Sequence, residues 1–160
     1  MNVFERLVEL LKEKHLRIAA AESCTAGLFS ADLAAVPGAS EVLEYGFVVY
    51  SVQAKQSVIS VPPEVIERFG VVSEQTARAM AEGALRVSGA DLSIGITGFA
   101  GPGADEGCSV GMVCFGYSFR EKTFAETVEF GDIGRNKVRQ KSAEHAAKRI
   151  IDFLEENGCG

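Results

Sequence analysis

Ser23, Lys55 and Thr97 are the side chains of this sequence best placed to do chemistry. Ser23 follows the run Arg17-Ile18-Ala19-Ala20-Ala21-Glu22 and opens Cys24-Thr25-Ala26-Gly27. That order predicts a short buried strand, an abrupt small-residue turn and the start of a helix. A hydroxyl there lies beside unpaired helix N–H groups, which suits a nucleophile and an oxyanion. Lys55 ends a second junction, Val48-Val49-Tyr50-Ser51-Val52-Gln53-Ala54-Lys55, and Thr97 opens a third, Thr97-Gly98-Phe99-Ala100-Gly101-Pro102. All three fall at or just beyond the carboxyl ends of expected parallel strands, where open α/β sheets bind their ligands. A serine hydroxyl needs a base, and the chain holds only two histidines, His15 and His145. A lysine does this work when burial lowers its pKa from about 10.4 towards neutrality. A threonine hydroxyl can bridge such a pair or relay the proton.

Each residue also has a plainer role open to it. Ser23 can be a helix N-cap, Lys55 a solvated helix lysine and Thr97 an ordinary strand-end residue. Glu22 is either a general base or ligand, or a structural acceptor for turn amides. Cys24 is either a buried free thiol or a second nucleophile. The glycines of the 98–103 loop can cradle a phosphate. The loop has neither the Gly-Lys-Ser/Thr ending of a P-loop nor a Gly-x-Gly-x-x-Gly spacing. Arg135 and Arg139 are four apart on an expected helix and share a face, where they either bind an anion or solvate the helix.

The elements that must position these groups follow from periodicity. Val3, Leu7, Leu10 and Leu11 recur at helical spacing, and 16–21 is a short apolar strand. A helix is predicted over 25–35, a strand over 42–51 and a short helix over 54–60. Pro62-Pro63-Glu64 starts a helix closed by Gly70, and Ser73 caps a longer one ending at Gly89. The run 92–97 is apolar at nearly every position, as for a strand buried on both faces. Strands over 110–119 and 123–130 form a hairpin about Arg120-Glu121-Lys122, either a buried sheet edge or a subunit contact. Asp132 is expected to open the last helix, and 157–160 to fray. Strands alternating with helices predict one α/β domain over 1–160, a three-layer α/β/α sandwich on a mixed, mostly parallel sheet.

Bulk composition narrows the function classes. At 160 residues with 47% apolar and 24% charged side chains, the chain has the make-up of one soluble globular domain. A formal charge of −6 argues against nucleic acid as a partner. The charged first helix is no signal peptide, and no apolar run approaches the ~18 residues of a membrane span, so no membrane partner is expected. The four cysteines form no C-x-x-C pair, so no metal site and no other cofactor is expected, and free thiols point to a reducing cytoplasm.

Four motifs in order carry a resemblance. Ala21-Glu22-Ser23-Cys24-Thr25-Ala26-Gly27, Tyr50-Ser51-x-x-x-Lys55, Gly70-Val71-Val72-Ser73-Glu74 and Thr97-Gly98-Phe99-Ala100-Gly101-Pro102 together resemble the CinA C-terminal domain family, the nicotinamide-nucleotide amidohydrolases. The likeness runs from the first helix to the last. It implies an anticodon-binding-domain-like α/β/α fold and deamidation of nicotinamide mononucleotide to nicotinate mononucleotide and ammonia. By the same match Ser23, Lys55 and Thr97 are implied as catalytic. Tyr50 and a basic residue early in the last helix, Arg135 or Arg139, are implied as substrate contacts. The amides of Thr25, Ala26 and Gly27 would receive the oxyanion, while Gly98 and Gly101 would line the phosphate loop. The expected partner is a small nucleotide, and a homo-oligomer is expected. Some family members carry a further N-terminal domain similar to molybdopterin-binding proteins, which is expected to be absent here. Ala26, Val52 and Cys108-Ser109 stand where the family usually has glycine, asparagine and Lys-Pro. Those departures support a second expectation, a non-catalytic nucleotide-binding or regulatory module with the same pocket.

Overall fold

The computed structural model describes residues 1–157, so Cys159 and the end of the expected frayed tail lie outside the described residues. Five strands form one sheet in the order β2-β1-β3-β4-β5: β1 Ile18–Glu22, β2 Leu43–Val48, β3 Leu92–Gly98, β4 Met112–Phe119 and β5 Lys122–Glu129. β1 pairs in parallel with β2 and β3, while β4 is antiparallel to both β3 and β5. Four strands therefore share one direction and β4 alone opposes them. Register sets Glu22 opposite both Val48 and Ile96, so the carboxyl ends of the three parallel strands line up.

Helices cover both faces, giving the three-layer sandwich. On one face α1 (Val3–Glu13), α2 (Leu28–Ala34) and α6 (Arg135–Glu156) pack together and against the sheet. Their apolar stripes bury Leu7, Leu11, Phe29, Leu33, Val138 and Leu154 over Ile18, Ile94, Ile96 and Phe115. On the other face α5 (Glu74–Ser88) lies across the sheet, flanked by α3 (Val52–Ile59) and α4 (Pro63–Phe69). Contact there is made by small residues. A Cβ at Gly95 or Gly116 would come within 2.4 Å or 2.2 Å of the Ala77 carbonyl oxygen, and one at Gly83 within 2.0 Å of that of Ile59.

Three helix starts differ from the sequence reading. The short helix expected over 54–60 begins at Val52, capped by Ser51 from the segment read as strand. The helix expected from residue 25 begins only at Leu28, because Ala26 and Gly27 both adopt left-handed backbone, with φ of +49° and +95°. The last helix begins at Arg135 rather than Asp132. Gly134, at φ +104°, is its N-cap, and Gly131 is also left-handed. Because β5 runs with β1 and β3, α6 starts at the same end of the sheet as the Ser23 turn.

Candidate active site

Ser23 and Lys55 meet. Lys55 is fully buried on α3, and its Nζ donates to Ser23 Oγ at 2.9 Å, to the Val49 carbonyl at 2.9 Å and to the Tyr50 carbonyl at 3.0 Å. Ser23 Oγ in turn reaches the Tyr50 carbonyl at 3.4 Å. Among the described residues no carboxylate pairs with the ammonium. Burial therefore dominates, and pushes the Lys55 pKa down to about 8. In its neutral form the amine keeps two protons on the Val49 and Tyr50 carbonyls and turns its lone pair to Ser23. Two backbone acceptors thus orient the Lys55 amine, which no side-chain pattern in the sequence announces.

Local chemistry explains both junctions. Ser51 caps α3 by accepting from the Ala54 N–H at 3.0 Å, so Lys55 stands one turn into a regular helix and points back at the loop before it. The β1–α2 junction is built differently. Ser23 is not the α2 cap; that position is Gly27, which has no capping side chain. The fully buried Glu22 carboxylate does the capping from the strand, accepting the N–H groups of Phe29 at 2.9 Å and Ser30 at 3.0 Å and the Ser30 hydroxyl at 2.7 Å. Glu22 is thus the structural acceptor, and it uses the helix amides that an oxyanion would otherwise meet. The Ala26 N–H is also committed, to the Ser23 carbonyl at 3.0 Å. The N–H groups of Cys24, Thr25 and Gly27 have no acceptor among the described residues.

Thr97 comes to the same end of the sheet without joining the pair. Its hydroxyl donates to the Val71 carbonyl at 3.0 Å, just ahead of α5, and among the described residues it bonds neither Ser23 nor Lys55. The bridging role expected for it is replaced by anchoring the 70–73 segment. Gly98 is needed for packing, since a Cβ there would lie 2.7 Å from a Val113 methyl. Gly101, buried at φ +101°, presents its carbonyl, not its amide, and takes Arg135 Nη1 at 2.6 Å. The 98–103 loop therefore meets Arg135 through a carbonyl acceptor.

The two arginines separate in role. Arg135 Nη2 donates to the exposed Tyr50 hydroxyl at 3.0 Å, so Tyr50 and Arg135 stand together beside the Ser23–Lys55 pair. Arg139 turns inward, with Nε on the Cys24 carbonyl at 3.0 Å and Nη2 on the Thr25 carbonyl at 2.9 Å. Neither simply solvates its helix. Cys24 is buried, and desolvation pushes its thiol up to about 11, which opposes a thiolate nucleophile. A concavity of about 550 Å³ between α4 and α5 is lined by Phe69, Arg78 and Arg86 and does not include Ser23 or Lys55. Among the described residues no cluster of His, Cys, Asp and Glu suits a metal ion, and no helix is long and apolar enough to cross a membrane.

Comparison with known proteins settles the family. The CinA C-terminal domain model matches residues 1–154. The chain belongs to the CinA C-terminal domain family. Relatives named as competence-damage inducible proteins are 43% identical over 93% of the chain in Caldicellulosiruptor bescii and 41% identical over 96% in Limosilactobacillus fermentum. The chain spans 37% of the length of each. A CinA-superfamily crystal structure from Klebsiella pneumoniae superposes with a TM-score of 0.93 at 30% identity, covering 96% of each chain. One from Enterobacter asburiae gives 0.89 at 36%, covering 96% of this chain and 99% of the other. The CinA fold expected from the motifs is the fold observed.

Proposed function

We propose that this CinA-family chain is a cytoplasmic serine amidohydrolase that deamidates nicotinamide mononucleotide without a metal or other cofactor. The observation that carries the reading is the 2.9 Å contact of Lys55 Nζ with Ser23 Oγ, with the remaining lysine protons on two backbone carbonyls. Neutral Lys55 takes the Ser23 proton as Oγ attacks the carboxamide carbon, and the Cys24 N–H faces the oxyanion. The protonated lysine then delivers that proton to the departing nitrogen, releasing ammonia and leaving an acyl-serine. Water, deprotonated by the same lysine, cleaves the ester to nicotinate mononucleotide and restores Ser23. Arg135, beside Tyr50 and at the uncapped first turn of α6, is the group suited to the phosphate. Thr97 contributes by fixing the 70–73 segment.

The test is ammonia release from nicotinamide mononucleotide. Ser23→Ala should abolish turnover and Lys55→Met should lower it by about 10²–10⁴-fold, while nucleotide binding persists in calorimetry. Undiminished turnover in either variant would sink the mechanism. Binding by the unaltered chain with no hydrolysis at any pH would identify it as a nucleotide-binding module.

A further inference from the structure

We propose that Arg139 is a positioning residue that aims the oxyanion amide of the Ser23 turn and is not a ligand for the substrate phosphate. The proposal rests on the amidase reading above. Three of the Arg139 N–H groups are already engaged, on the carbonyls of Cys24 and Thr25 and on Asn136 Oδ1 at 3.0 Å. Bonds from a guanidinium to carbonyls are charge-assisted, and a planar fork can hold two acceptors at once.

Peptide planarity turns those contacts into a statement about the free amide. The Cys24 N–H belongs to the same rigid plane as the Ser23 carbonyl and points away from it. That carbonyl is held by the Ala26 N–H. The next plane carries the Cys24 carbonyl, which Arg139 holds. Both planes flanking the Cys24 Cα are therefore fixed, and the Cys24 N–H is left without an acceptor among the described residues. The N–H of the residue after the nucleophile is a common oxyanion donor in serine hydrolases.

The turn needs such a clamp. Ala26 sits at φ +49°, a conformation that costs a non-glycine residue roughly 1–2 kcal/mol. Relaxing it would rotate the peptide planes on either side. Arg139 grips the two carbonyls immediately before Ala26, reaching back from α6 across 114 and 115 positions of sequence.

The experiment compares nicotinamide mononucleotide with nicotinamide riboside, which has the same amide and no phosphate. Arg139→Lys and Arg139→Ala should lower kcat by about 10–10²-fold on both, by the same factor, because a mis-aimed oxyanion donor costs part of the effect of deleting one. KM should change little, and guanidinium ion should restore part of the Arg139→Ala rate. A rise in KM confined to the phosphorylated substrate would overturn the proposal. Labelling of Ser23 by a fluorophosphonate supplies a readout that needs no amide: slower labelling of the variants supports the clamp, and labelling at the unaltered rate overturns it. An unaltered chain that labels at Ser23 yet releases no ammonia would remove the nicotinamide substrate, with Arg139 still judged by the labelling rates. Should Arg139→Ala fail to fold, Arg139→Lys carries both measurements.

Discussion

The junctions after β1 and β2 deliver their side chains to one point by opposite means. The β2–α3 junction is regular: a serine cap, a helix, and a lysine that folds back onto the carbonyls of its own loop. The β1–α2 junction is irregular: two successive left-handed residues, a buried carboxylate capping from the strand and an arginine gripping from α6. Lys55 can thus be placed by local rules. Ser23 is placed by tertiary ones. Strain and long-range contacts concentrate on the Ser23 side.

Breaking the regular side should cost most in activity. Lys55→Met is expected to lower kcat/KM by about 10²–10⁴-fold with far-ultraviolet dichroism unchanged, as for loss of a general base. A smaller loss in a steady-state ammonia assay would argue that another group shares the role.

The same lysine links both activity and stability to pH. Its folded pKa, about 8, lies below the ordinary value of 10.5, so the unfolded chain binds more protons between those limits. kcat/KM should rise through pH 8 to a plateau. Stability should be penalised below pH 8 and recover between pH 8 and 10.5 in urea titrations. Lys55→Met should flatten both profiles.

Breaking the irregular side should act first on stability. Glu22→Gln exchanges charge-assisted caps on Phe29 and Ser30 for neutral ones, and is expected to lower unfolding free energy by about 1–3 kcal/mol in urea. Ala26→Gly should sharpen the contrast from the other direction, raising it by about 0.5–1 kcal/mol by removing the left-handed penalty, less the entropy glycine returns to the unfolded chain. A destabilised Ala26→Gly would show that the turn is not strained at that residue.

Legibility in the sequence divides along the same line. Layers, strand directions and the Ser73 cap follow from periodicity and capping chemistry, which act over a few residues. Ser23 and Lys55 could be nominated because each falls at a strand end. The start of α2 could not, because Thr-Ala-Gly reads as helix and no residue type there announces a left-handed Ala26. Nor could the split between Arg135 and Arg139, which share a face at one-turn spacing. Each holds backbone carbonyls 34 to 115 positions away, and a carbonyl has no residue type to recognise. The acceptor of Thr97 is hidden for the same reason, being the Val71 carbonyl.

The close approach of α5 to the sheet divides tolerance to change unevenly between the two layers. On the α1–α2–α6 side, leucines, isoleucines and phenylalanines can exchange volume with one another as long as the total is kept. On the α5 side a single added methyl at Gly95 or Gly116 meets main chain, which has nowhere to go. A methyl there would lever the helix outwards and carry with it the 70–73 segment to which Thr97 is tied. Drift in the first layer is thus a matter of repacking. In the second, one carbon atom two positions from Thr97 would be felt as a displacement of the floor beneath Ser23 and Lys55.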